Sequence, residues 1–356
     1  MILKFSCIPR VLDFKFEAGT SRGVLKSRKI WWIKAQDSGN PDRFGWGEAA
    51  PLVKLSIDDL PDFEAQVLEL LDKFRSIDFP KEERKTLSFI QSIVPSHLPS
   101  FRFALEMAIL DLMQGGRKRF FPNSFYDNKK PIPINGLIWM GEKEFMRQQI
   151  DAKISQGFSC IKMKIGAIDF DQELGLLKYI RSEYGNEDLV LRVDANGAFS
   201  PAEAMEKLGK LADLDIHSIE QPIRAGQWEE MARLCEKTPL PIALDEELIG
   251  VKNKGPLLEQ INPQHIILKP TLVGGFLETK EWIAEAENRN IGWWMTSALE
   301  SNIGLNAISQ LASSYDPTIP QGLGTGQLYY NNLQSPLFIS NGEIKYNSTI
   351  PWEEPS

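Results

Sequence analysis

The chain has 356 residues, 42% of them hydrophobic and 25% charged, with a formal net charge of -8 at pH 7. Such a length suits two domains, and the composition is that of a soluble globular protein with a sizeable core. The acidic balance leaves no basic excess to neutralise a nucleic-acid backbone, although a small anionic substrate stays compatible with a locally positive site.

The first residues, Met1 to Cys7, lack a long apolar run followed by small residues, so no export signal is expected. No window approaches the roughly 18 consecutive apolar residues of a membrane helix. Cys7, Cys160 and Cys235 are widely spread, without a C-x-x-C pair, and read as reduced thiols of a cytoplasmic protein. Only His97, His217 and His265 are present, which disfavours zinc-hydrolase and Ser-His-Asp chemistry.

Residues 24–35 have strand-like content around Ile30, Trp31, Trp32 and Ile33, and the glycines and proline of 43–51 suggest a loop. Residues 101–113 repeat apolar side chains at helical spacing. Strands followed by helices predict an α+β domain over 1–125. From residue 126 the pattern becomes a regular alternation. Short apolar runs at 133–138, 160–165, 189–194, 216–220, 241–245, 265–269, 291–296 and 322–325 predict eight strands. Helical patterns lie between them, at 142–156, 169–184, 201–214, 227–237, 276–289 and 302–314. This predicts a (β/α)8 barrel over 126–327, with the tail 328–356 returning to the N-terminal domain.

Barrel chemistry is built at the C-terminal strand ends, and here those ends are charged. Strand two carries Lys162 and Lys164, which period-two alternation turns to one face. Strand three ends at Asp194 and Asn196, strand four at Glu220, strand five at Asp245 and strand six at Lys269. From Lys164 the spacings are 30, 26, 25 and 24 residues, one βα unit each. A lone acid after a strand is commonly a helix cap. Three from successive strands form a hard-oxygen site suited to magnesium, and the flanking lysines need anions to meet them.

This arrangement resembles the enolase superfamily, specifically its Lys-x-Lys members. The resemblance implies Asp194, Glu220 and Asp245 as ligands to Mg²⁺, with Mn²⁺ as a substitute. It implies Lys164 as the acid–base catalyst, Lys269 on the opposite face of the substrate, and Lys162 assisting at the substrate carboxylate. The N-terminal domain would be the capping domain, closing loops 19–23 and 47–52 over a small-molecule carboxylate. Residues 295–304 and 321–326 look like those of the o-succinylbenzoate synthase family. Glycines such as Gly324 would admit a bulky ring, and Thr296, Ser297 and Thr325 would hydrogen-bond a carboxylate or ketone. Asn196 joins them as a substrate contact, and Arg22 would meet a distal carboxylate. No acid lies between Pro317 and Asn341, which disfavours a cationic amino group, and no histidine follows strand seven or eight. The implied reaction is a magnesium-dependent syn dehydration through an ene-diolate in menaquinone biosynthesis. An N-acylamino-acid racemase or a cycloisomerase of the same superfamily is the alternative.

Overall fold

A computed structural model describes residues 1–20 and 23–356. The chain opens with an antiparallel sheet of β1 (Leu3–Thr20), β2 (Gly23–Asp37) and β3 (Asn40–Ala49), in that order. Three helices follow: α1 (Phe63–Phe74), α2 (Glu83–Ile93) and α3 (Pro99–Met113). One face of the sheet, with Phe5, Trp31, Ile33 and Ala35, packs with Phe63, Val67, Ile90 and Phe101 of the helices into a core of its own.

Two expectations change in this region. The glycine-rich stretch 43–51 is mostly strand β3, not loop, and its glycines answer to packing rather than to a turn. A side chain at Gly47 would lie 1.9 Å from the Ala104 carbonyl oxygen, and one at Gly45 would lie 2.3 Å from that of Ala108. The strand therefore lies against the bare backbone of α3, which only glycine permits. Helix α3 in turn has no solvent face, since every residue from Pro99 to Leu112 is buried. The sheet covers one side of it and the barrel the other, so its polar residues are paired internally. Asp111 accepts from the Trp46 amide at 2.9 Å, and Arg102 donates to Glu278 at 2.9 Å.

The barrel begins with β4 (Ile132–Pro133) and β5 (Gly136–Ile138), then α4 (Lys143–Ser155). It proceeds through β6 (Cys160–Lys164), α5 (Phe170–Glu183), β7 (Val190–Asp194), α6 (Pro201–Ala212), β8 (Ser218–Glu220) and α7 (Trp228–Lys237). Next come β9 (Ile242–Leu244), α8 (Lys254–Ile261), β10 (His265–Leu268), α9 (Pro270–Val273), α10 (Phe276–Glu287), β11 (Gly292–Met295) and α11 (Asn302–Ser313). Strands β5 to β11 form one parallel sheet in sequence order, and most of their residues are buried, as a parallel sheet covered on both faces requires.

The eighth position differs from the expected strand at 322–325. It is reduced to bridges from Gln321 to Ile134 and from Gly322 to Thr296, which join the first and seventh strands and close the ring. A Cβ at Gly322 would sit 2.3 Å from Thr296 Oγ1, so the seam is too tight for a regular strand of ordinary residues. No barrel helix follows it. Instead β12 (Leu337–Ser340) and β13 (Glu343–Tyr346) form a hairpin that pairs with β4. The intervening and final segments touch the N-terminal sheet: the Lys15 amide donates to the Leu328 carbonyl at 2.8 Å, and Trp46 Nε1 donates to Glu354 at 2.7 Å.

At the opposite end of the barrel His217 and His265 stack, with ring centroids 5.4 Å apart, beside Trp294. Burial, then the nearby Arg192 guanidinium, pushes both imidazoles down to about 4. Among the described residues no helix is long and apolar enough to cross a membrane.

Candidate active site

Strand register brings the charged ends level. Lys164 pairs with Asp194 across β6 and β7, and Asp194 with Glu220 across β7 and β8, while Asp245 and Lys269 directly follow β9 and β10. The carboxylates of Asp194, Glu220 and Asp245 are at most 2% exposed and the three lysines at most 9%, so these charges must satisfy one another. Lys162 Nζ lies 2.5 Å from Glu220 and 3.4 Å from Asp194. Lys164 Nζ lies 2.8 Å from Asp194 and donates to Asn196 Oδ1 at 2.7 Å. Lys269 is paired with Asp245 and lies 3.6 Å from Glu220.

The electrostatics follow from this interleaving. Burial pushes the Asp194 carboxyl up, but the ammonium groups of Lys164, Lys162 and Lys269 outweigh it and hold the group well below the usual range. For Glu220, burial and Asp194 push up, while Lys162 and Lys269 prevail and bring it down. Burial drives Asp245 upward against Lys269, with Glu246 and Glu220 adding to the rise. Burial would discharge Lys269, yet the facing Asp245 and Glu220 keep it charged.

These acids suit a divalent cation by donor chemistry, because all are hard carboxylate oxygens on adjacent strands. Glu220 Oε1 is buried and has no hydrogen-bond partner among the described residues, an orphaned acceptor of the kind a cation would meet. As they stand, no three acidic or histidine groups among the described residues form a ready cage. The ammonium groups of Lys162 and Lys269 lie between the carboxylates instead.

Above the charges is a chamber of about 250 Å³, roofed by Leu25, Leu52 and Val53 of the N-terminal region. Lys162, Lys164, Lys269, Asp194 and Asn196 line its floor, and Thr296, Ser297, Gly324 and Thr325 line one wall. Glu220 and Asp245 sit just outside it, engaged with Lys162 and Lys269. Arg22 lies outside the described residues. Strands two and six are four positions apart in a ring of eight, so Lys164 and Lys269 approach the chamber from opposite sides. Two amines across a small cavity over buried carboxylates can move a proton at one carbon and oppose the charge left behind.

Several residues here were not anticipated. Trp139 and Leu137 line the chamber from the end of the first strand, two residues apart and therefore on one face. Gln221 follows Glu220 in a left-handed conformation (φ 40°) and is fully buried. Its side-chain oxygen accepts from the Asp245 amide at 3.2 Å, and its amide donates to Glu247 at 3.1 Å, so it ties the ends of strands four and five together. Position alone, directly after a charged strand end, could have marked it.

The wall is held by the N-terminal region. Glu48 accepts from the amides of Ser301 at 2.7 Å and Gly304 at 2.9 Å. Arg28 donates to the carbonyls of Ala298 and Ala50, and the Tyr329 hydroxyl donates to that of Leu299 at 2.5 Å. Behind the wall, Glu300 accepts the hydroxyls of Ser297 and Thr271.

Residues 145–350 match the family described as enolase C-terminal domain-like, and the chain belongs to that family, within the enolase superfamily. Magnesium dependence is general to it. The chain is 49% identical to an o-succinylbenzoate synthase of Desulfotalea psychrophila, over 93% of this chain and 95% of that one. It superposes on the crystal structure of MenC from Desulfotalea psychrophila LSv54 with a TM-score of 0.86 and 43% identity, covering 97% of this chain and 100% of that one. A dipeptide epimerase from Enterococcus faecalis V583, complexed with Mg and the dipeptide L-Leu-L-Tyr, shares the fold at a TM-score of 0.83 and 19% identity, over 97% of this chain and 100% of that one. Within the superfamily, then, the chain stands with the o-succinylbenzoate synthases.

Proposed function

We propose that the chain is a lyase that converts 2-succinyl-6-hydroxy-2,4-cyclohexadiene-1-carboxylate to o-succinylbenzoate by syn loss of water, a step of menaquinone biosynthesis. The observation that carries this reading is the pair Lys164 and Lys269 facing one chamber over three buried carboxylates, in a chain so similar to a named synthase. Asp194, Glu220 and Asp245 would hold Mg²⁺, for which Mn²⁺ could substitute. When bound, the ion supplies Lewis acidity that offsets negative charge on the substrate carboxylate.

Lys164, oriented by Asp194 and Asn196, takes the proton next to the ring carboxylate and returns it to the departing hydroxide. One base serving both steps confines the chemistry to a single face of the ring. Lys269, kept charged by its carboxylate neighbours, stabilises the ene-diolate from the other side. Lys162 bridges Glu220 and Asp194 and is near enough to the chamber to meet the substrate carboxylate. The same reading treats 1–125 as the cap and 126–327 as the catalytic barrel, with 328–356 returning to the cap. The hydrogen bonds from Lys15 and Trp46 to that tail support it.

The test is a direct dehydration assay with Mg²⁺ present, after chelation, and after Mg²⁺ is restored. Aromatic product should form, vanish and return in that order. Absence of product with Mg²⁺ present, together with α-deuterium exchange into N-acylated amino acids, would replace dehydration by racemisation.

A further inference from the structure

The wall facing the substrate contains a chain of hydroxyl groups with a single proton direction. Thr325 Oγ1 donates to Ser297 Oγ at 2.7 Å, and Ser297 Oγ donates to Glu300 Oε2 at 2.5 Å. The Leu299 amide also donates to Ser297 Oγ, at 3.0 Å. A hydroxyl has one hydrogen and two lone pairs, so Ser297 is fully committed: its hydrogen goes to Glu300 and both lone pairs are taken. Thr271, two residues beyond Lys269, donates to the other oxygen of Glu300. A carboxylate only accepts, so both hydroxyls beside Glu300 must send their hydrogens to it.

We infer that Glu300 is a positioning residue that fixes this direction, so that Thr325 turns lone pairs, not its hydrogen, into the chamber. At Thr325 the wall then recognises a hydrogen-bond donor on the ligand, whereas the neighbouring Thr296 hydroxyl, without a partner among the described residues, stands outside this chain. Resting on the dehydratase reading, that donor is the ring hydroxyl, which stays a donor when it leaves as water. Ketone and carboxylate oxygens gain nothing from Thr325, and Ser297 has no hydrogen left to offer them. This changes the role expected of Ser297 and Thr325 from donors for a carboxylate or ketone to a sink for a hydroxyl hydrogen. Glu300 and Thr271 are fully buried while Ser297 and Thr325 line the chamber, so Glu300 acts on ligand only through its neighbours.

The test uses the full chain with Mg²⁺ and two matched probes, a cyclohexene carboxylate with a ring hydroxyl at the leaving position and its ring-ketone counterpart. Binding is measured by calorimetry, so it does not depend on turnover. The wild type should favour the hydroxyl probe by about tenfold, the scale of one buried hydrogen bond. Glu300→Gln replaces one accepting oxygen by an N–H, and with that N–H facing Ser297 the chain reverses and preference should shift to the ketone probe. Ser297→Ala frees the Thr325 hydrogen and should shift preference the same way should Glu300→Gln fold poorly. Thr325→Val should bring the two affinities together. A ratio unchanged by Ser297→Ala overturns the inference, as does equal weakening of both probes. Product formation from the dehydratase substrate by the same wild-type preparation, in a separate assay, reports on the dehydratase reading.

Discussion

The barrel mouth and the seam between cap and barrel both bury carboxylates, but they satisfy them in different ways. At the mouth, Asp194, Glu220 and Asp245 face the ammonium groups of Lys162, Lys164 and Lys269. In the seam, Glu48 and Glu106 accept chiefly from backbone amides, Glu48 from Ser301 and Gly304 and Glu106 from Phe276, and beside it Asp111 accepts from Trp46 within the cap. Ammonium groups on flexible stems can be displaced when a substrate or a cation enters, whereas backbone amides cannot move without the fold. The mouth is thus built for exchange of partners, and the seam for keeping two parts of the chain in fixed relation.

The largest effect expected from breaking this contrast is at the mouth. Lys164→Ala should lower kcat on the order of 10⁴-fold, as removal of a general base does, with the circular dichroism spectrum and melting temperature little changed. A variant that keeps wild-type turnover would remove Lys164 from its assigned role. In the cap beside the seam the effect should fall on stability instead. Gly47→Ala drives a methyl group into the Ala104 carbonyl and should cost about 1–3 kcal/mol in urea unfolding. An unchanged midpoint would mean that β3 and α3 do not meet as closely as described.

A third expectation concerns pH. Burial pushes Glu106 up to about 8 and Asp111 up to about 7, only partly opposed by amides and neighbouring cations. The folded chain keeps protons that the unfolded chain releases, so this contribution is full near pH 4 and is lost as pH rises through 8. Stability should therefore fall between pH 6.5 and 8, and Glu106→Gln should flatten that slope. A slope identical in the variant would assign it to other groups. The smallest effect is at the barrel floor, where His217 and His265 have the opposite sign. Their contribution is present above pH 6.5 and is lost as pH falls through about 4. His265→Phe should lessen acid destabilisation in that window, as followed by melting temperature.

The barrel was legible in sequence because its strands are short continuous apolar runs whose polar ends recur once per βα unit. Lys162, Lys164, Asp194, Glu220, Asp245 and Lys269 all stand where that repeat puts them. The N-terminal region was less so. Gly45 and Gly47 resemble turn residues locally, and their real constraint is a helix about 60 residues further on. Glu48 and Glu300 give no local signal, since one answers to amides some 250 residues away and the other to the hydroxyls of Ser297 and of Thr271 in α9. The eighth strand was expected with regular pairing. Its glycines shorten it to two bridges, a tertiary effect that apolar content alone does not reveal.

That shortened joint has a kinetic meaning. The ring closes through four backbone bonds: Asn135 to Gln321, Gln321 to Pro133, Gly322 to Met295 and Ser297 to Gly322. Between β6 and β7, by contrast, a continuous ladder of five residue pairs does this work. The amides of Gln321, Gly322 and Ser297 should therefore exchange with deuterium sooner than those of Met163 or Val193. They also border the hydroxyl wall, so a lightly paired stave of the barrel stands beside its doorway. Ligand bound there should slow exchange along this one joint and leave the rest of the ring unaltered.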